Sequence, residues 1–160
     1  MKILGVDPGL QICGYGLVDW NNNSACLIEA GVVKTKRGQR TEKRLQFIYD
    51  TCFKLIKRMQ PEVVALEKLY SHYRHPTTSY ALGQARGMIC LICSQLKIAL
   101  YEYPSTRIKK AVVGKGRATK FQIQKMVQQL LGIKTTPKYF DVTDALAVAI
   151  THGHTLRYSI

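Results

Sequence analysis

The sequence predicts an α/β fold, a mixed five-stranded sheet with helices on both faces. Three observations point to it. Within the first 35 residues, short runs rich in valine, isoleucine and leucine are broken by turn-forming residues, the mark of a β-meander. Beyond them, segments with helical spacing alternate with two further apolar runs, as they do where strands pair in parallel. The 160 residues also fit a single domain, residues 1–160, since domains typically hold about 100–200.

The residues "MKILGVD" form the first strand, "CGYGLVDW" the second and "ACLIEAGVVKT" the third, joined through "PGLQI" and the turn "NNNS". From Thr41, a suitable N-cap, the apolar residues Leu45, Ile48, Cys52, Leu55 and Met59 recur at the spacing of an amphipathic helix, and Pro61 follows its end. "EVVALE" is too short and too β-branched for a helix and reads as a buried parallel strand. The helix expected over Thr77–Leu96 is apolar nearly all round at "GMICLIC", so it needs cover on two sides. Gly83 and Gly87, one turn apart, would admit a neighbour, either from the same monomer or from a second copy. "IALYEY" is the fifth strand, and Pro104 opens a short helix through "STRIKKAVV". After the loop "GKGRAT" comes a helix with Ile123, Val127 and Leu130 inward, stopped by Gly132, and the last helix starts near Asp141.

Lys and Arg number 24 against 10 Asp and Glu, a net charge of +14. So strong a positive charge attracts polyanions, nucleic acid first and an anionic membrane surface second. No run reaches the roughly 18 apolar residues of a membrane span, and "MKILGVD" lacks the regions of a signal peptide, so the cytoplasm is the expected location and no membrane is expected as partner. The five cysteines, Cys13, Cys26, Cys52, Cys90 and Cys93, lie in apolar runs and suit reduced core thiols. "CLIC" has the spacing of a zinc pair but no second pair to complete a site.

Four acids stand out on a chain with so few. Asp7 ends the first strand and Glu67 the fourth; if those strands are parallel neighbours, both carboxylates emerge at the carboxyl edge of the sheet, where α/β folds bind ligands. Asp141 and Asp144, at i and i+3, share one face of the last helix. Carboxylates gathered in this way repel one another unless a cation joins them, and a hard divalent ion such as magnesium takes oxygen donors together with substrate phosphate. Two such ions about 4 Å apart can promote phosphodiester hydrolysis. Taken singly, each acid also has an ordinary explanation: Asp141 as helix cap, Asp144 as first-turn acid, Asp7 as turn former before Pro8, Glu67 as an ion-pair partner.

The blocks "GVDPGLQICGYGLVD", "ALEKLY", "ALGQARG", "VVGKGRATK" and "DVTDALAVAITH" resemble, in that order, the RuvC family of Holliday-junction resolvases. The resemblance implies a ribonuclease-H-like fold, a homodimer, and magnesium-dependent paired nicking of like-polarity strands in four-way junction DNA, leaving 5′-phosphate and 3′-hydroxyl ends. Two Mg2+ ions per active site are implied, with Mn2+ an alternative, as is cooperation with the branch-migration complex of recombination and repair. By matching motif, Asp7, Glu67, Asp141 and Asp144 are the metal-holding catalytic acids. Tyr70 matches an aromatic near the junction crossover, and Lys109 and Lys120 match basic positions near the scissile backbone. Lys115 and Arg117 share the loop between them. "KTKRGQR", Lys34 to Arg40, reads as a nonspecific backbone contact. His152 and His154, near the end of the last helix, suit a dipole interaction or exposure rather than metal binding.

One departure is visible, since bulky Tyr139 and Phe140 precede the acidic pair where smaller residues are expected, which bears on the path of that loop and on cleavage preference. Two other functions compete with a nuclease. A junction-binding protein without catalysis would use the acids only as caps and turns. An actin-like ATPase or sugar kinase, whose early "D-x-G" resembles Asp7 to Gly9, would need a second domain and finds no room in 160 residues.

Overall fold

The computed structural model describes residues 1–69 and 76–156, with side chains from residue 80 onward in the second stretch; Tyr70 lies outside the described residues. The element order is β1 (Lys2–Asp7), β2 (Ile12–Asn21), β3 (Ser24–Lys34), α1 (Thr41–Met59), β4 (Val63–Glu67), α2 (Pro76–Leu96), β5 (Ala99–Tyr103), α3 (Ser105–Val113), α4 (Lys120–Leu131) and α5 (Phe140–Leu156). The strands form one five-stranded sheet in the order β3-β2-β1-β4-β5. The first three are antiparallel, while β4 and β5 are parallel to β1. Asn22 and Asn23, both with positive φ, form the two-residue turn of the β2–β3 hairpin, a conformation that asparagine tolerates better than most residues.

Alternation along the central strands divides the core in two. Ile3 and Ala65 face one layer with Val127, Leu146 and Ile150, while Leu4 and Leu66 face the other with Ile48, Ile56, Ile89 and Ile92. Hence α3, α4 and α5 cover one side of the sheet and α1 and α2 the other. Each of these fully buried leucines and isoleucines contributes about 1.5–3 kcal/mol relative to exposure.

The helix α5 lies almost on bare backbone. A Cβ on Gly5 would come 1.8 Å from the Ala145 carbonyl oxygen, and one on Gly16 would meet the Leu146 side chain at 2.4 Å. These glycines therefore set how close α5 can approach.

Several details differ from expectation. Arg40, not Thr41, occupies the N-cap position of α1 and makes no side-chain cap, so Thr41 is the first helical residue. Burial of Ile48, Cys52, Ile56 and Met59 holds that helix in place, with Leu45 and Leu55 only half-buried. Leu130 is exposed because the packed line of α4 runs through Ile123, Val127 and Leu131, and one residue turns the side chain by about 100°. Of the five free thiols, Cys26 is exposed and Cys90 half-buried; Cys26 lies on the half of edge strand β3 whose second face is open, beside exposed Ile28. The helix α2 buries Ala85, Ile89, Ile92 and Cys93, whereas Leu91 is 51% exposed and a Cβ on Gly83 or Gly87 would meet nothing within 4 Å. Its second side is uncovered among the described residues. His152 is buried, not exposed: its Nδ1 lies 2.7 Å from the Tyr103 hydroxyl, and the His154 ring packs edge-on to Trp20 at 5.0 Å.

Candidate active site

Asp7 is the last residue of β1 and Glu67 the last of β4. Val6 stands opposite Leu66 in the parallel pair, so the two acids leave adjacent strands at the same level. Alternation puts both on the α5 side, since Gly5 lies under Ala145 and Ala65 belongs to the core beneath that helix. On its other flank Asp7 pairs with Gly14, and a Cβ on Gly14 would come 2.8 Å from the Cβ of Asp141. The start of α5 is thus held next to Asp7. One turn on, Asp144 Oδ2 faces the Nζ of Lys120 at 3.9 Å.

The electrostatics record the convergence. Burial pushes the Asp7 carboxyl from the usual 3.8 up to about 7, and the charges of Asp144, Asp141 and Glu67 add to the rise while Lys120 opposes it. Asp144 is also raised by burial, with Lys120 and Lys109 pulling the other way. Asp7 therefore senses three other acids, and two lysines sense Asp144. An all-carboxylate set with excess negative charge fits a hard divalent cation rather than a soft metal. Among the described residues no three His, Cys, Asp or Glu side chains form a ready-made cage. Hard divalent ions of the magnesium type are commonly held by only one or two carboxylates, with waters and substrate phosphate completing the shell.

Lys120 opens α4 directly after a capping box: the Thr119 hydroxyl accepts from the Gln122 N–H at 3.3 Å, and the Thr119 N–H donates to Gln122 Oε1 at 2.9 Å. The box fixes where the lysine backbone begins. Lys109 is half-buried on α3, whereas Lys115 and Arg117 stand exposed in the loop between α3 and α4 and make no ion pair among the described residues. Lys34 lies 5.7 Å from the centre of the Tyr139 ring and Lys138 lies 5.8 Å from it, so the unexpected tyrosine gathers two cations before the acidic pair. A cleft of about 500 Å³ adjoins Asp141, lined also by Gly9, Leu10, Gln11, Ile12, Arg44, Ala81 and Leu82.

Two functional contributors were not foreseen. Arg86, 13% exposed on α2, donates to the Glu67 carbonyl at 2.8 Å and pairs with Glu102, so it fixes the end of β4 from behind. Its one signal in the sequence is its place in "ALGQARG". Arg44 donates to Thr35 Oγ1 at 3.1 Å, and that hydroxyl donates to the Leu10 carbonyl at 2.8 Å, which ties the β1–β2 loop to α1 at the wall of the cleft. Nothing in the spacing of α1 distinguishes Arg44 from its charged neighbours.

The profile of the family described as Crossover junction endodeoxyribonuclease RuvC matches residues 3–152. The chain belongs to the RuvC family. It is 40% identical over 156 residues to the RuvC of Fusobacterium nucleatum, covering 98% of this chain and 82% of that protein. Against the RuvC of Heliobacterium modesticaldum it is 42% identical over 160 residues, covering 100% of this chain and 98% of the relative. Among solved structures, Thermus thermophilus RuvC in complex with Holliday junction substrate superposes with a TM-score of 0.91 at 31% identity, covering 99% of this chain and 96% of that one. The mixed sheet and its helices are thus those of RuvC and of the ribonuclease-H-like class.

Proposed function

We propose that this RuvC-family protein is a structure-specific endonuclease that resolves four-way DNA junctions in recombination and repair, acting as one nuclease domain over residues 1–160 in the cytoplasm. Asp7, Glu67, Asp141 and Asp144 hold Mg2+, two ions per site, with Mn2+ able to substitute. When bound, such ions supply a Lewis acid for the phosphoryl oxygens and a water nucleophile at neutral pH. Lys120 and Lys109, the two lysines that act on Asp144, counter the charge that builds on the phosphate and orient the strand. The observation that carries this reading is the geometry: Asp7 and Glu67 end paired parallel strands, Asp141 packs against Gly14 beside Asp7, and Asp144 faces Lys120, on a protein of net charge +14.

The finer points belong to the same reading. Paired nicks fall on strands of like polarity and leave 5′-phosphate and 3′-hydroxyl ends. A twofold dimer presents two sites to a junction of matching symmetry, and the open side of α2, with Tyr80, Gly83, Gly87 and Leu91 exposed, is the face for the second copy. Tyr70, Lys115 and Arg117 contact DNA, and the protein works with the branch-migration complex. No helix among the described residues is long and apolar enough to cross a membrane.

The test is incubation with a synthetic four-way junction and a linear duplex control, with magnesium or chelator, followed by mapping of the cuts. Symmetric cuts confined to the junction and lost in Asp7→Asn support the proposal. Intact strands with bound junction would leave a binding protein instead.

A further inference from the structure

Phe121 is 73% exposed, the highest value among the exposed large apolar residues described, yet it sits at a defined place. It follows Lys120, whose ammonium faces Asp144 at 3.9 Å. Its ring meets that of Phe140 edge to face, with centroids 5.4 Å apart and planes at 83°. Phe140 in turn immediately precedes Asp141 at the start of α5. Each ring of the pair is therefore the chain neighbour of a residue at the acidic site. The edge-to-face contact restrains the outer ring while leaving most of its surface to solvent. Tyr139, the chain neighbour of Phe140, carries Lys34 and Lys138 over its own ring.

Leaving an aromatic ring in water forgoes the stabilisation that burial would bring, and an exposed, braced ring directly after Lys120 on a chain of net charge +14 matches the chemistry of a stacking platform for nucleobases. We infer that Phe121, braced by Phe140, stacks on the unpaired or splayed base of the nucleotide adjoining the phosphodiester to be cut, and so positions the strand over the four acids. The inference rests on the junction-nuclease reading above. Phe121 is a positioning residue here: it grips the substrate next to the reacting bond and takes no part in the proton or phosphoryl chemistry. An aromatic face is tolerant of base identity, but purines stack more strongly than pyrimidines, so the ring also biases which crossover sequences are cut. The bulky residues ahead of the acidic pair thereby acquire a use.

The experiment places 2-aminopurine beside each candidate scissile phosphate of a synthetic junction and binds it to the Asp7→Asn protein, which holds the strand uncut. Quenching of the fluorophore is expected in Phe121→Trp, whose indole donates an electron to a stacked 2-aminopurine, and not in Phe121→Leu, which keeps apolar bulk but has no π face. On the otherwise wild-type chain, Phe121→Leu should slow single-turnover cleavage about tenfold and flatten the preference among crossover sequences, with an unchanged melting temperature. Equal fluorescence in Phe121→Trp and Phe121→Leu, with equal rate and cut positions in Phe121→Leu and its parent, would overturn the inference. A parent that neither binds nor cuts junctions removes both readings, whereas a parent that cuts, with Phe121→Leu indistinguishable, removes this one alone.

Discussion

Replacing Asp7 with asparagine should make the metal-free protein more stable as well as inactive. The fold raises the Asp7 carboxyl from 3.8 to about 7, so it favours the protonated form. The associated stability is complete below the unfolded value of 3.8 and is lost as pH rises towards the folded value, with nothing more to lose above it. Each pH step of one is worth about 1.4 kcal/mol, so the full loss is about 4 kcal/mol. Water reaching a partly buried carboxylate reduces this, and about 2–4 kcal/mol is the working range. Asparagine cannot ionise, and it keeps what the wild type gives up. For a chain of this size, Asp7→Asn should melt about 5–15 °C higher at pH 8 in chelator, with the gap closing towards pH 4.5. Magnesium should then raise the wild-type melting temperature at pH 8 more than that of the variant, because bound ions stabilise only a site that holds them. Thermal melts across that pH range, with and without metal, provide the measurement. An Asp7→Asn protein no more stable than wild type at pH 8, or a difference that ignores pH, would refute the reasoning that four acids strain the site.

Three other perturbations follow from the contacts. Arg86→Ala removes the donor to the Glu67 carbonyl and leaves Glu102 without its arginine; it should cost about 1–3 kcal/mol in urea unfolding and slow junction cleavage about tenfold or more, while junction binding persists. Gly5→Ala drives a methyl into the Ala145 carbonyl and should lose about 3 kcal/mol or more by the same measurement, since α5 must lift away from β1. Tyr103→Phe deprives buried His152 of its 2.7 Å partner and should cost about 1–2 kcal/mol. Burial holds His152 below its ordinary 6.5, so the stability tied to its neutral form is present above 6.5 and lost as pH falls through the folded value; urea melts at pH 5.5 and 8 would show the drop.

Strand ends and helix periodicity carried most of the fold. Asp7 and Glu67 could be placed at the sheet edge because each closes an apolar run, and the parallel register bears that placement out. The i, i+3 spacing of Asp141 and Asp144 was equally legible, but their approach to β1 depends on Gly14, whose missing side chain makes room for α5 and leaves no hydrophobic signal. Arg86 was hidden because its role is to hold a backbone carbonyl across two elements, a contact that no local pattern encodes. Leu130 was misplaced because a residue at the last turn of α4 can lie on either side of a stripe that the helix does not live to complete. The Phe121–Phe140 pair joins residues 121 and 140, on different helices, and only the packing of α4 against α5 reveals it.

The seat of α5 on Gly5, Gly14 and Gly16 has a consequence for how such an enzyme can diversify. With no cushion of side chains between helix and strands, the acids on either side of that joint are indexed to each other like teeth on one gear, and drift at a single glycine would disengage them. New substrate preferences must then be acquired at the periphery, on exposed rings and cations, while the cluster of acids stays locked.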